Sequence, residues 1–245
     1  LVNLPALYEH TAMQYFSPEL VRLCDNQLLN EYLYYYYYRE VALAAIQNAS
    51  ETRGEQIARI NRDMRQELAA VDVKANPGQA FDIWMKHYLR RENSYMQSES
   101  QQEKFNTRDA LTLQQFIDEP DSGGYAGVAL DILDAVNSTT TKRIVVSMSN
   151  NGTLDFLKPG DVIEISCDLS KNGLQPVTPH HVPDAQKNMI SCVKEYERLA
   201  VAAILNRDRE LAVRALMAHP LVGSWSLATA LVNDYLSDTL CEGWQ

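Results

Sequence analysis

Asp161-Val162-Ile163-Glu164-Ile165-Ser166-Cys167-Asp168-Leu169 alternates apolar and polar side chains, and its reading decides the fold class. Period-two alternation places Ile163, Ile165, Cys167 and Leu169 on one face of a half-buried strand. Just upstream, the β-branched run from Arg143 to Met148 supplies a second strand. Asn151-Gly152 and Asn172-Gly173 tolerate positive φ, so both can close turns between antiparallel strands. The β signal is confined to this middle stretch, which predicts one small antiparallel sheet.

Helical signals fill the chain on either side. Ser17-Pro18-Glu19 combines a capping residue, a preorganised first position and an acid at the positive helix end, so a helix starts at Pro18. A helix is expected over Asn30 to Asn48. Thr52-Arg53-Gly54-Glu55 is a capping-box pattern opening a helix with Ile57, Ile60, Met64 and Leu68 on one face. Asn76-Pro77-Gly78 ends that helix, and Ala80 to Glu92 repeats the pattern with Phe81, Trp84, Met85 and Tyr88. From Ser94 to Thr107 the chain is rich in Ser, Gln and Glu, which predicts an exposed, mobile arm over 94–107. The turn-rich Glu119 to Gly124 precedes a helix through Val128, Leu130, Ile132, Leu133 and Val136. After Pro183-Asp184 an apolar stripe of Met189, Cys192, Tyr196, Leu199 and Ala203 marks another helix. Asp208 caps the next, which Pro220 ends, and Ser226 to Leu240 forms the last. The expected class is α+β: a helix-rich domain over 1–245 with one small antiparallel sheet and no Rossmann domain, since the sequence has no GxGxxG fingerprint and no P-loop.

Composition narrows the function. A formal charge of -10, from 32 acidic against 22 basic residues, argues against nucleic acid or an anionic membrane as a general partner, while one local phosphate pocket stays compatible with it. No apolar run reaches the roughly 18 to 20 residues that span a bilayer, and the start has no signal-peptide n-region, so a cytoplasmic location is expected. Cys24, Cys167, Cys192 and Cys241 lie far apart without metal-site spacing, and buried reduced thiols are the simplest reading. His180-His181 between two prolines reads as a solvated loop, and His219 as a helix C-terminal residue meeting the dipole. Asp131, Asp134, Glu195 and Glu197 read as solvated helix faces.

The most unusual segment is Asn30-Glu31-Tyr32-Leu33-Tyr34-Tyr35-Tyr36-Tyr37-Tyr38-Arg39-Glu40. On a helix, adjacent tyrosines are about 100° apart and cover most of the circumference, so some face the core and others a cleft or a second subunit. Composition alone favours packing with satisfied hydroxyls. A tyrosine acts as a general base where a neighbouring cation or other group lowers its pKa from about 10.

Asn30 to Tyr37 resembles the NEYLxYYY-like segment of family-four glycoside hydrolases of the 6-phospho-β-glucosidase type. Other blocks follow in the same order: Thr52-Arg53-Gly54-Glu55-Gln56 is similar to TRxEQ, and Gly123 to Ala129 to GGxxxxxA. Asn150-Asn151-Gly152 is similar to the turn between two strands, Lys194 to Leu199 to KxYERL, and Ala218 to Val222 to an HPLV-type segment. Two positions depart from the pattern: Leu29 stands where relatives commonly have Pro, and Ser122 where many have Arg. The second change removes a cation, which bears on phosphate recognition or on a subunit contact.

The resemblance implies that the chain is the C-terminal, substrate and oligomerisation part of an enzyme whose dinucleotide-binding half lies upstream. It implies NAD-dependent oxidation, elimination and addition on a phosphorylated disaccharide or glycoside, an exception to two-carboxylate hydrolysis, with NAD and a divalent metal, Mn2+, in the full-length enzyme. By motif position Tyr32 is the base, with Tyr35 and Tyr36 as the alternatives. The family's metal-binding CNxP and NHxxW motifs do not occur here, and His10, beside Tyr8 and Glu9, is not carried over as a ligand. No substrate-binding, metal or cofactor residue is therefore assigned to this piece, which is expected to be inactive alone and to bind neither group. Two other readings remain: a non-catalytic oligomerisation or interaction module, and a family-four enzyme acting on 6-phospho-α-glucosides, α-galactosides or α-glucuronides.

Overall fold

The computed structural model describes residues 11–100, 109–119, 124–237 and 243–244. They fall into two compact units, divided after Pro120. The expected α+β class holds: helices dominate, and a single three-stranded antiparallel sheet is formed among the described residues.

The first unit opens with a 3-10 turn, Thr11–Tyr15, and helix α1, Pro18–Leu23. Ser17 caps α1 by accepting the Leu20 N–H at 3.2 Å, as its position predicts. The expected single helix over Asn30 to Asn48 is in fact three pieces: a 3-10 turn at Glu31–Leu33, one α-turn at Tyr34–Tyr37, and helix α2, Arg39–Asn48. The break is at Tyr38 (φ -120°, ψ 37°). Its hydroxyl accepts the Ser17 N–H at 3.0 Å, and its ring stacks on Tyr34 at 5.0 Å. Tertiary contacts thus override a locally helical sequence. Met13, Tyr15, Phe16, Val21, Leu29, Tyr34, Ala42 and Met96 form the core here.

Helix α3, Arg53–Ala69, begins with the predicted Thr52–Glu55 capping box. Helix α4, Pro77–Asn93, starts on Pro77. Arg53 donates to the Arg91 carbonyl at 2.8 Å and to Ser94 Oγ at 2.7 Å, so the start of α3 satisfies carbonyls at the end of α4. Helix α5, Leu113–Asp118, sets Phe116 against Phe81 and Trp84, each at 5.4 Å. The arm expected over 94–107 is ordered in its first part. Residues 97–100 make a helical turn, and Met96, Glu99 and Ser100 are buried. Glu99 there accepts from Tyr35, and Ser100 donates to the Met96 carbonyl. Residues 101–107 lie outside the described residues.

The second unit contains helix α6, Gly124–Asn137, then strands β1, Lys142–Ser149, β2, Val162–Ser170, and β3, Gly173–Pro176. The strands run in the order β1-β2-β3, with Ile144 opposite Cys167 and Ser170 opposite Gly173. Ile163, Ile165, Cys167 and Leu169 are buried, as their alternation predicts. Gly173 takes φ 103°, a conformation that suits glycine. The other turn is longer than expected. Asn151-Gly152 opens a loop over 150–161 organised by Asn150, which is 0% exposed. Its Nδ2 donates to the carbonyls of Leu154, Leu157 and Lys158, and its Oδ1 accepts the Leu154 N–H at 2.7 Å.

Helix α7, Asp184–Asn206, ends on left-handed Arg207. Asp208 caps α8, Arg209–Ala218, and Ser224 caps α9, Trp225–Leu236. The expectation of buried thiols holds for Cys167, while Cys24 is half-buried and Cys192, on α7, is exposed. Cys241 lies outside the described residues. Among the described residues, no helix is long and apolar enough to cross a membrane.

Candidate functional site

The tyrosine run divides by what each hydroxyl and ring touches. Asn30 Oδ1 accepts the Tyr32 N–H at 2.9 Å and fixes the 3-10 turn, leaving the Tyr32 residue 64% exposed. Tyr34 is buried between Tyr15, edge-on at 6.2 Å, and Tyr38. Tyr35 donates to Glu99 Oε1 at 3.1 Å, with Met96 Sδ at 3.5 Å. Burial first, and the Glu99 carboxylate second, push the Tyr35 hydroxyl well above the usual tyrosine range. Tyr36 is 40% exposed and lies edge-on to Tyr37 at 5.0 Å. Tyr37 accepts from the Cys24 thiol at 3.4 Å, and burial together with that contact raises its pKa. Adjacent residues in one run therefore have different chemical fates.

Two residues outside the run complete the neighbourhood. Glu99 is 8% exposed and keeps one oxygen, Oε2, without a hydrogen-bond partner. Tyr95 packs against the first core, and burial first, with the nearby Tyr32 second, pushes its hydroxyl above the usual tyrosine range. Both residues fall in the stretch whose Ser, Gln and Glu content predicts an exposed arm, so composition hides them. The paired bulky residues Tyr95-Met96 inside that polar run are the signal that marks them.

The remaining motifs are spent on structure. Arg53 ties α3 to α4. Arg198 of the Lys194–Leu199 block donates to both Asp161 oxygens at 2.8 Å and to Glu195 at 2.7 Å, and Lys194 pairs with Glu197 at 2.6 Å. Asp131 and Asp134 are likewise paired, with Lys142 at 2.8 and 2.9 Å. His219 follows α8, but its Nδ1 accepts the Leu221 N–H at 3.2 Å and its ring meets Tyr196 edge-on at 4.7 Å. Burial lowers its pKa, so it acts as a neutral acceptor rather than the expected cation at the helix dipole. His180 and His181 are exposed and line a cavity of about 360 Å³ with Thr153, Asp155 and Lys187. His10, Ser122 and Gly123 lie outside the described residues. Among the described residues, no group of three or more His, Cys, Asp or Glu is arranged to hold a metal ion.

The family 4 glycosyl hydrolase C-terminal domain matches residues 9–222. A 6-phospho-beta-glucosidase BglT of Thermotoga maritima is 28% identical over 119 residues, covering 49% of this chain and 28% of that protein. A phospho-alpha-glucosidase PagL of Clostridium acetobutylicum is 25% identical over 116 residues, covering 47% of this chain and 26% of that protein. In structure, a 6-phospho-beta glucosidase from Thermotoga maritima, solved with manganese, NAD+ and glucose-6-phosphate, matches with a TM-score of 0.60 and 19% identity over 95% of this chain and 46% of that chain. A 6-phospho-alpha-glucosidase from gut microorganisms, solved with NAD and Mn2+, matches with a TM-score of 0.56 and 16% identity over 92% of this chain and 41% of that one. The chain thus spans under half the length of these structural relatives. With the domain match running over most of its residues and the ordered motifs falling on the elements described above, the chain belongs to the family 4 glycosyl hydrolases, as that family's C-terminal domain.

Proposed function

We propose that the chain is the substrate-side part of a cytoplasmic, homo-oligomeric 6-phospho-β-glucosidase, with Tyr32 as its general base. The observation that carries the base assignment is how the run uses its hydroxyls. Tyr35 donates a hydrogen bond to Glu99, Tyr37 accepts from Cys24 and Tyr38 accepts from Ser17, while Tyr32 stands largely exposed at the head of the family motif. In the implied chemistry NAD, when bound to the full-length enzyme, would supply oxidation at the sugar C3, which would acidify the C2–H, and a divalent metal would supply charge stabilisation. The part of this chain is to accept the C2 proton on Tyr32 Oη before the aglycone leaves C1. The described residues offer no metal ligand set, so no step of this chain is routed through the metal.

The β-anomer follows from the motif order, which resembles the 6-phospho-β-glucosidase type, while the relatives include both β- and α-acting enzymes. The test is hydrolysis by the full-length protein, supplied with NAD and Mn2+, of matched 6-phospho-β- and 6-phospho-α-glucosides. Faster cleavage of the β-anomer is expected. Preference for the α-anomer, an α-galactoside or an α-glucuronide overturns the specificity, and no cleavage of any of them leaves the interaction-module reading in its place.

A further inference from the structure

Tyr32 hangs on a short stretch of backbone between two buried anchors. On one side Leu29 is 2% exposed in the first core, and its N–H meets Met13 Sδ at 3.1 Å. On the other, Tyr34 is buried in the same core. Between them lies the 3-10 turn Glu31–Leu33, where the Leu33 N–H reaches the Asn30 carbonyl at 3.0 Å and the Tyr34 N–H reaches the carbonyls of Glu31 and Tyr32. The first N–H groups of a helical turn have no carbonyl ahead of them within the turn, so a side chain must supply the acceptor. For Tyr32 that acceptor is Asn30 Oδ1 at 2.9 Å, carried by an extended backbone (φ -74°, ψ 144°). Asn30 is itself exposed, so its side chain contributes this bond rather than burial.

We propose that Asn30 is a positioning residue for proton abstraction: its side-chain oxygen pins the Tyr32 N–H and so fixes where the Tyr32 hydroxyl stands. This role rests on Tyr32 being the base. Tyr32 is 64% exposed, so packing constrains its ring little, and the direction of its Cα–Cβ bond sets the region its hydroxyl can reach. The hydroxyl sits at the far end of the ring, where a small rotation of the backbone becomes a larger displacement. A misplacement of about 1 Å at a reacting group can cost about 100-fold in rate. Serine and threonine put an oxygen where it can accept the same N–H, whereas alanine and glycine have none. Glycine in place of a capping residue costs little stability, so it separates positioning from folding.

The full-length protein, supplied with NAD and Mn2+, is assayed on a 6-phosphoglucoside and on the same compound deuterated at C2. In Asn30→Gly, kcat should fall at least about tenfold with KM little changed, and the C2 isotope effect on kcat should rise as proton abstraction slows. Asn30→Ser restores an acceptor and should return kcat to within about twofold of the wild type. Thr112→Ala removes a cap of the same kind from α5; it should lower the thermal midpoint and leave kcat and the isotope effect unchanged. Wild-type values in Asn30→Gly, an Asn30→Ser as slow as Asn30→Gly, or an equal loss in Thr112→Ala overturns the positioning role, and an inactive Tyr32→Phe in the same set leaves the base assignment standing. An active Tyr32→Phe overturns both. Should Asn30→Gly not fold, the isosteric pair Asn30→Thr and Asn30→Val decides: the threonine variant is expected to be about tenfold faster, and equal rates contradict the role.

Discussion

Tyr32 and Tyr35 sit three residues apart and meet different surroundings. Tyr35 donates a hydrogen bond to a buried carboxylate, so Tyr35→Phe leaves Glu99 without a donor on either oxygen. Denaturant unfolding should show a loss of about 1–3 kcal/mol. Asn150 is the corresponding knot of the second unit. Asn150→Ala removes its bonds to the loop over 150–161, and the same measurement should show a loss of about 2–3 kcal/mol. Asp161 supplies a pH dependence. Burial alone would raise its carboxyl, but the hydrogen bonds from Arg198 and the Lys158 N–H outweigh it and hold the pKa below the ordinary range. A depressed carboxylate contributes stability that is present above its unfolded value and lost as pH falls through the folded one. Arg198→Met should therefore lower the thermal midpoint near neutral pH, and the gap to wild type should close below about pH 4.

At the scale of elements, what was legible in the sequence is what is decided locally. The Thr52–Glu55 capping box, the Ser17 and Asp208 caps and the alternation of β2 all depend on residues within a few positions. Thr52→Ala should cost about 1 kcal/mol, read as a shift in the urea midpoint at unchanged slope. The break at Tyr38 and the burial of Met96 and Glu99 were not legible, because their causes lie far along the chain. Ser17 takes the Tyr38 hydroxyl across 21 positions, and Tyr35 reaches Glu99 across 64. A polar stretch reads as solvent-exposed unless its partners are known.

For the whole molecule, the ordered motifs carried the family, and in the structure several of their residues serve architecture: Arg53, Asn150, Arg198 and His219 each fasten one element or loop to another. The candidate site was half legible. Tyr32 could be named from the motif, whereas Tyr95 and Glu99 enter it through tertiary packing. The central claim, that Tyr32 takes the C2 proton, is tested most directly by incubating the full-length protein with NAD, Mn2+ and a 6-phosphoglucoside in deuterated water and measuring deuterium at C2 of the product. The account predicts incorporation by the wild type and a fall of at least about 100-fold in Tyr32→Phe; incorporation at the wild-type rate in that variant would contradict it.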